Sequence, residues 1–354
     1  MDIKIKVLDV GDGDAIIVQL NKNNENLVMV IDGGESKHYK TIVKPELQKT
    51  LIDANKKAPD IVVVTHYDSD HIGGLIPLVT DYIDDIKEVW VHRPPELNEK
   101  DFSIIKSFNP KNIVTSNSNH FSLEKSIQEK TSFSRSCIKL NSKFILESLR
   151  QLDTLIGIIP TSKIREVFYN YSYKRWPEIR VLGPTKSFYD NLFPRTMLLE
   201  NLMLNEIKYN EDYTRLDEGL MKYRKLITYN INPCSHLKND STARLTSTNK
   251  ASIIISIDED KKKYLFTGDA GIDSFKAIPN WGKELENLYW LKIPHHGSDN
   301  NISQELIDKM KPKFAFNSGD KYQDDHVLEC LRKNSSNVIS TKSRGNLEFS
   351  NFKN

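Results

Sequence analysis

The 354-residue chain has few cysteines, no long apolar run and almost no net charge, and each shortage removes a class of protein. Its three cysteines, Cys137, Cys234 and Cys330, stand far apart without C-x-x-C spacing, so neither a thiolate zinc site nor a disulfide framework is indicated. The most apolar stretches, such as 60–65 and 252–257, are strand-length, well short of the roughly 18 to 20 apolar residues that a membrane span needs. The first six residues alternate like a strand and lack the apolar core of a signal peptide. The 50 Lys+Arg against 48 Asp+Glu leave a formal net charge of +2, too little to argue for a polyanionic partner. These readings agree with a soluble enzyme and point to a cytoplasmic protein, with length for one large or two ordinary domains.

What the chain does have is a dense group of metal-ligand types. Directly after the apolar run Ile61-Val62-Val63-Val64 comes Thr65-His66-Tyr67-Asp68-Ser69-Asp70-His71-Ile72-Gly73-Gly74. Alternate residues of an extended segment point the same way, so His66 and Asp68 can face one cation while Asp70 and His71 diverge toward a second. A strand before this loop and a helix over 72–79 after it would fix the geometry. A solvated polar turn has no need of such spacing.

These residues resemble the H-x-[HD]-x-D-H signature of metallo-β-lactamase-fold hydrolases, in the variant with Asp as the third residue. That variant is similar to the hydrolase or nuclease domain of ComEC-type competence proteins and their soluble relatives. Four further segments match in the same order: Val7-Leu8-Asp9-Val10-Gly11-Asp12-Gly13-Asp14-Ala15, Val30-Ile31-Asp32-Gly33-Gly34, Leu265-Phe266-Thr267-Gly268-Asp269-Ala270 and Leu291-Lys292-Ile293-Pro294-His295-His296-Gly297-Ser298. The resemblance implies an α/β protein, an αβ/βα four-layer sandwich, and the helical apolar spacing of 144–152 and 198–209 adds a large, mainly helical insertion. Residues 1–92 and 249–354 would supply the two halves of the sandwich and 179–184 a returning strand. The insertion would be split into 93–178 and 185–248, since the interval is too long for an ordinary connection.

The resemblance also assigns roles. It implies metal ligands His66, Asp68, Asp70, His71, Asp269 and His296, with Asp269 bridging; an Asp at that turn could equally be a helix N-cap. Of the adjacent pair, His296 is the first choice as ligand, with His295 beside it contacting substrate or supporting the site. The wider superfamily has another histidine where this chain has Asn249 and Ser252, and ComEC-type proteins share that Asn-x-x-Ser segment. So carboxylate-rich a ligand set takes one or two divalent ions, zinc, manganese or magnesium. Asp70 is expected to orient and deprotonate the attacking water, with His296 or His326 assisting the leaving group. Asp14, Asp32, Ser298 and Asp324 are expected around the site as supporting or substrate-contacting groups, although Asp32 could serve its turn alone.

The implied activity is hydrolysis of nucleic-acid phosphodiesters, in a setting such as defence against foreign DNA. Hydrolysis of a small phosphoester or other ester, and a metal-binding scaffold without turnover, remain as alternatives. Within the insertion, Tyr173, Lys174, Arg175 and Trp176 combine rings and cations that could stack bases and contact phosphates, or could simply pack a core. The insertion is also where a protein partner could dock.

Overall fold

Runs such as Ile16-Ile17-Val18 and Ile61-Val62-Val63 are apolar on both faces and form strands buried on both sides. The computed structural model describes residues 1–93, 98–107, 118–131, 135–194, 197–206, 232–237, 245–319, 321, 323–334 and 336–352. Among them, β1 (Asp2–Val7), β2 (Ile16–Lys22), β3 (Glu25–Ile31), β4 (Ile61–Val63), β5 (Glu88–Trp90), β6 (Ile164–Arg165) and β14 (Leu347–Ser350) form one sheet, in the order β14-β1-β2-β3-β4-β5-β6. A second sheet contains β7 (Ser172–Tyr173), β8 (Trp176–Gly183), β9 (Ile254–Glu259), β10 (Lys262–Phe266), β11 (Trp290–Lys292), β12 (Phe314–Asn317) and β13 (Asn337–Ser340), in the order β13-β12-β11-β10-β9-β8-β7.

The period-2 alternation of each strand divides its side chains between an inner and an outer layer. Val18, Met29, Val63 and Trp90 of the first sheet meet Val181, Ile255, Phe266 and Trp290 of the second in a shared core. Outward-facing Ile17, Val28, Val62 and Val89 pack under Leu47, Leu78 and Leu149 of helices Lys44–Asp53, Leu75–Tyr82 and Arg135–Ile158. On the far side, Ile254, Leu265 and Leu291 pack under Phe275, Leu306 and Leu331 of helices Ile272–Lys276, Gln304–Met310 and Asp325–Lys333. The result is the four-layer αβ/βα sandwich. Each fully buried large apolar side chain in it contributes roughly 1.5 to 3 kcal/mol.

The interval 93–178 is helical over Glu99–Ser107, Ser118–Lys130 and Arg135–Ile158, and it also carries β6 and β7, one at the edge of each sheet. Helix Arg135–Ile158 lies across helices Ser69–Ile72 and Leu75–Tyr82, with the Ser148 and Ser69 hydroxyls 3.3 Å apart. No described helix is long and apolar enough to cross a membrane.

Two expectations need correction. Tyr173 and Trp176 are not a stacking platform: both are buried in the core between the sheets, because they bracket the tight β7–β8 connection and point inward from it. Lys174 and Arg175 at the turn stay exposed, and Arg175 pairs with Glu25 at 3.3 Å. Replacing Trp176 by alanine should therefore cost about 3 to 5 kcal/mol of stability in denaturant unfolding. The cysteines were also misjudged by spacing alone: Cys234 and Cys330, separated by 96 positions, form a disulfide between the turn Pro233–His236 and helix Asp325–Lys333. The side chains of Cys137 and His120 lie outside the described residues.

His92, beside the first sheet, belongs to none of the groups of possible metal ligands among the described residues. Its ring stacks on Phe168 at 4.6 Å, and Nε2 donates to the Val167 carbonyl at 2.6 Å. Burial lowers its pKa to about 4, the nearby Val167 carbonyl partly offsetting this. Because the folded value is depressed, the unfolded chain binds the proton first, and stability should fall as pH drops from about 6.5 through 4. Thermal melts across that range should show the loss, and His92→Gln should flatten the pH dependence.

Candidate metal centre

The sequence motifs converge because they all end at one edge of the sandwich. β3, β4, β10, β11 and β12 each run into that edge at their C-terminal ends, while Asp14 and Ser252 enter from the starts of the antiparallel β2 and β9. Open α/β sheets place ligands outside the C-terminal ends of their strands for the same topological reason. Close backbone approach tightens the edge further: a Cβ at Gly13 would lie 2.0 Å from the Asp70 carbonyl oxygen, and one at Gly74 1.9 Å from that of Gly33.

Asp269 sits at the focus. Its Oδ2 lies 3.5 Å from His71 Nε2, 3.6 Å from His295 Nε2, 3.8 Å from His66 Nε2 and 4.0 Å from His296 Nε2. Donor atoms spaced in this way can share a cation at the roughly 2.0 to 2.2 Å bond lengths of nitrogen and oxygen ligands. His66, His71 and Asp269 form one group within mutual reach, and Asp70, His71 and His296 another. Asp68 extends the first, with Oδ2 3.6 Å from His66 Nε2. All six residues expected as ligands are thus brought together, and His295 joins them.

Each imidazole is aimed by a bond at its other nitrogen. His71 Nδ1 donates to Asp32 Oδ2 at 2.9 Å, and Asp32 also accepts from the Thr65 amide at 2.8 Å and its hydroxyl at 2.6 Å. His66 Nδ1 faces Thr65 Oγ1 at 3.1 Å and Ser252 Oγ at 3.4 Å, and that serine also accepts from the Asp269 amide at 3.1 Å. His295 Nδ1 meets Asn301 Oδ1 at 2.8 Å, and the Asn301 amide donates to the Asp269 carbonyl at 2.9 Å. His296 Nδ1 donates to the Ser318 carbonyl at 3.0 Å. His295 and His296 hold consecutive left-handed backbone conformations, φ 45° and 55°. Two non-glycine residues in that region cost free energy, which the turn around Gly297 and the contacts above offset.

Charge follows the same geometry. Burial opposes ionisation of Asp269, but His71, His295 and His296 outweigh it and hold the carboxyl well below its usual range. Burial likewise disfavours charge on His71, yet Asp269, Asp32 and Asp70 raise its pKa well above the usual value. For Asp70, loss of water pushes the carboxyl up to about 7, and Asp68 and Asp269 add repulsion. His66 Nε2, His71 Nε2 and Asp269 Oδ1 are buried with no hydrogen-bond partner among the described residues, which is costly unless another group satisfies them.

A profile of the Metallo-beta-lactamase superfamily matches residues 8–119, the stretch that holds Asp14, Asp32 and the His66–His71 loop. The chain has a metallo-β-lactamase fold. ComE operon protein 3 of Bacillus subtilis (strain 168) is 26% identical over 119 residues, 32% of this chain but only 15% of that protein's length. The metallo-β-lactamase fold protein YhfI from Bacillus subtilis aligns over 99% of this chain and 100% of its own, with 9% identity and a TM-score of 0.40.

Other residues read from the sequence fall around the Asp269 site in different ways. Asp14 is buried, accepts from the Ser318 hydroxyl, and pairs with Lys292 Nζ at 2.6 Å. Ser298 and Asn249 are buried at the same edge, and the Asn249 amide is capped by Thr246 at 3.0 Å. Asp324 caps helix Asp325–Lys333 by accepting from the His326 amide at 2.7 Å, while its own amide donates to the Gly297 carbonyl at 3.0 Å. His326 is absent from the groups of possible ligands found around His71 among the described residues, and instead stacks on His236.

Sequence reasoning passed over Lys292, Asn301, Ser318 and Glu206. A lone lysine inside the apolar strand Leu291-Lys292-Ile293 was a signal for a buried ion pair; the others carried none. Glu206, on the insertion helix 199–206, accepts from the Ser247 amide at 3.0 Å, and burial together with Asp68 raises its carboxyl to about 8.

Proposed function

We propose that this chain is a metal-dependent phosphodiesterase that cleaves nucleic acid. The carrying observation is the Asp269 carboxylate held within 4.0 Å of four imidazole nitrogens. The donor set fits divalent cations. The orphaned His66 Nε2, His71 Nε2 and Asp269 Oδ1 are the atoms a cation would satisfy, and the carboxylates would balance its charge.

Asp70, His71 and His296 would hold one cation and His66, Asp68 and His295 a second, with Asp269 shared between them. His295 then supplies an imidazole to the group that in the wider superfamily draws one from the Asn249–Ser252 position. When bound, zinc, manganese or magnesium provides Lewis acidity and neutralises charge on phosphoryl oxygens. Asp70 would orient the attacking water and take its proton. Asp32, Ser252, Asn301 and Ser318 keep the imidazoles fixed, so little reorganisation accompanies reaction. The buried Lys292–Asp14 pair braces the loop that carries His296.

The match to ComE operon protein 3 and the sequence resemblance to competence-protein hydrolase domains support a nucleic-acid substrate. The test is incubation with linear single-stranded DNA, duplex DNA, RNA and bis-(p-nitrophenyl) phosphate, each with Mn²⁺, Mg²⁺ or Zn²⁺. Cleavage of a nucleic acid that needs a metal and disappears in His71→Ala is the expected result. Turnover of the small reporter alone would move the assignment to small phosphoesters, and no turnover by metal-loaded protein would overturn it.

A further inference from the structure

Outside the Asp269 cluster, a second set of metal-ligand types gathers on helix Asp325–Lys333. His326 and Cys330 are four residues apart and so share one helical face, a turn apart. Opposite them the turn Pro233–His236 presents Cys234 and His236. The two segments meet in two rungs: Cys234 is bonded to Cys330, and the His236 and His326 rings stack with centroids 4.3 Å apart and planes inclined by 21°. The spacing is C-x-H on one segment and H-x-x-x-C on the other. Two thiols and two imidazoles from two short segments are the donor set of a structural Cys₂His₂ zinc site.

We propose that Cys234, His236, His326 and Cys330 form a second metal site, selective for zinc, that becomes available when the Cys234–Cys330 disulfide is reduced. A supporting shell is already in place. The Asn334 amide lies 3.8 Å from both sulfurs, a donor that favours thiolates, and is itself fixed on the Cys330 carbonyl at 3.0 Å. Asn232 Oδ1 accepts from the Cys234 amide at 3.2 Å and from Lys333 Nζ at 2.8 Å, tying the turn to the helix independently of the sulfurs. Both cysteines are buried and both histidines only partly exposed, so a metal held by them would be largely shielded from water.

Reduction balances simply. A thiol reductant delivers two electrons and two protons to the disulfide and leaves as its own disulfide; zinc then displaces the two thiol protons to solvent. Either state, disulfide or zinc, staples the 232–237 turn to the helix whose cap holds the Gly297 carbonyl beside His296. The fold thus keeps this staple under both oxidising and reducing conditions.

Cobalt(II) is the probe, because thiolate-to-cobalt charge transfer marks a cysteine-ligated site and the Asp269 cluster contains no cysteine. The full chain, carrying Cys137→Ser to remove the third thiol, is titrated with Co²⁺ before and after treatment with a phosphine. The phosphine leaves as its oxide, with oxygen from water. We expect a charge-transfer band that saturates at one equivalent in the reduced protein, is absent from the oxidised protein and is bleached by Zn²⁺. His236→Asn with His326→Asn, which leaves both sulfurs in place, should weaken cobalt binding by about 10-fold or more. A reduced protein without the band, or a band indifferent to the double substitution, would overturn the proposal.

Discussion

Asp269→Ala should strip the protein of its divalent ions and lower phosphodiester turnover by more than about 100-fold. Substituting a residue one shell outside a metal typically costs about 10- to 100-fold in affinity or activity, and Asp269 would lie inside that shell. Its Oδ2 is the shared neighbour of His66, His71, His295 and His296, so no other carboxylate can take over all four contacts. The loop itself should survive. It is held through the backbone, by the Asp269 amide on Ser252 and the Asp269 carbonyl on Asn301. Elemental analysis and turnover of bis-(p-nitrophenyl) phosphate, alongside a melt showing a folded chain, check this outcome.

The second large effect concerns stability. Asp32 is fully buried and accepts from the Thr65 amide, the Thr65 hydroxyl and His71 Nδ1. Alanine there leaves three donors without an acceptor and His71 without its closest counter-charge. Breaking a buried charged network of this kind typically costs about 3 to 5 kcal/mol. Denaturant unfolding of Asp32→Ala should show a loss of that order, and the surviving folded protein should bind metal at least about 10-fold more weakly because His71 is no longer aimed. Asp32→Asn, which keeps the shape and one acceptor oxygen, should fall between the two. An unchanged unfolding midpoint in Asp32→Ala would show that Asp32 serves only its turn.

The layers of the fold were legible where periodicity was strong. Ile16 to Val18 and Ile61 to Val63 could only be strands covered on both sides, and the helices over 304–310 and 325–333 follow their apolar spacing closely. The first helix after the ligand loop was read as continuous over 72–79; it is instead broken at Gly73 and Gly74, where the backbone must pass Ser69 and Gly33 too closely for any side chain. Strands of two residues, β6 and β7, carry no period to read, and only their pairing partners define them.

The candidate centre was legible because its residues arrive in motifs whose spacing is local. What escaped was what is assembled across the chain. Ser318 meets Asp14 from 304 residues away, and Glu206 reaches Ser247 from an insertion helix whose apolar spacing says nothing of its polar contacts. The aromatic run ending at Trp176 was ambiguous for a physical reason: a ring that stacks bases and one that fills a core need the same apolar face, and only burial separates them. The disulfide had no local signature either, since its cysteines are distant in sequence and meet only after the turn docks on the helix.

The most direct test of the central claim is the metal content of the wild-type chain, purified with the Cys234–Cys330 disulfide intact so that those sulfurs cannot bind, then equilibrated with Mn²⁺ or Zn²⁺ and freed of excess. The account predicts one to two tightly held divalent ions per chain, falling to background in His71→Ala. A folded wild-type chain that retains no divalent ion, or a His71→Ala chain that retains as many as the wild type, would contradict it.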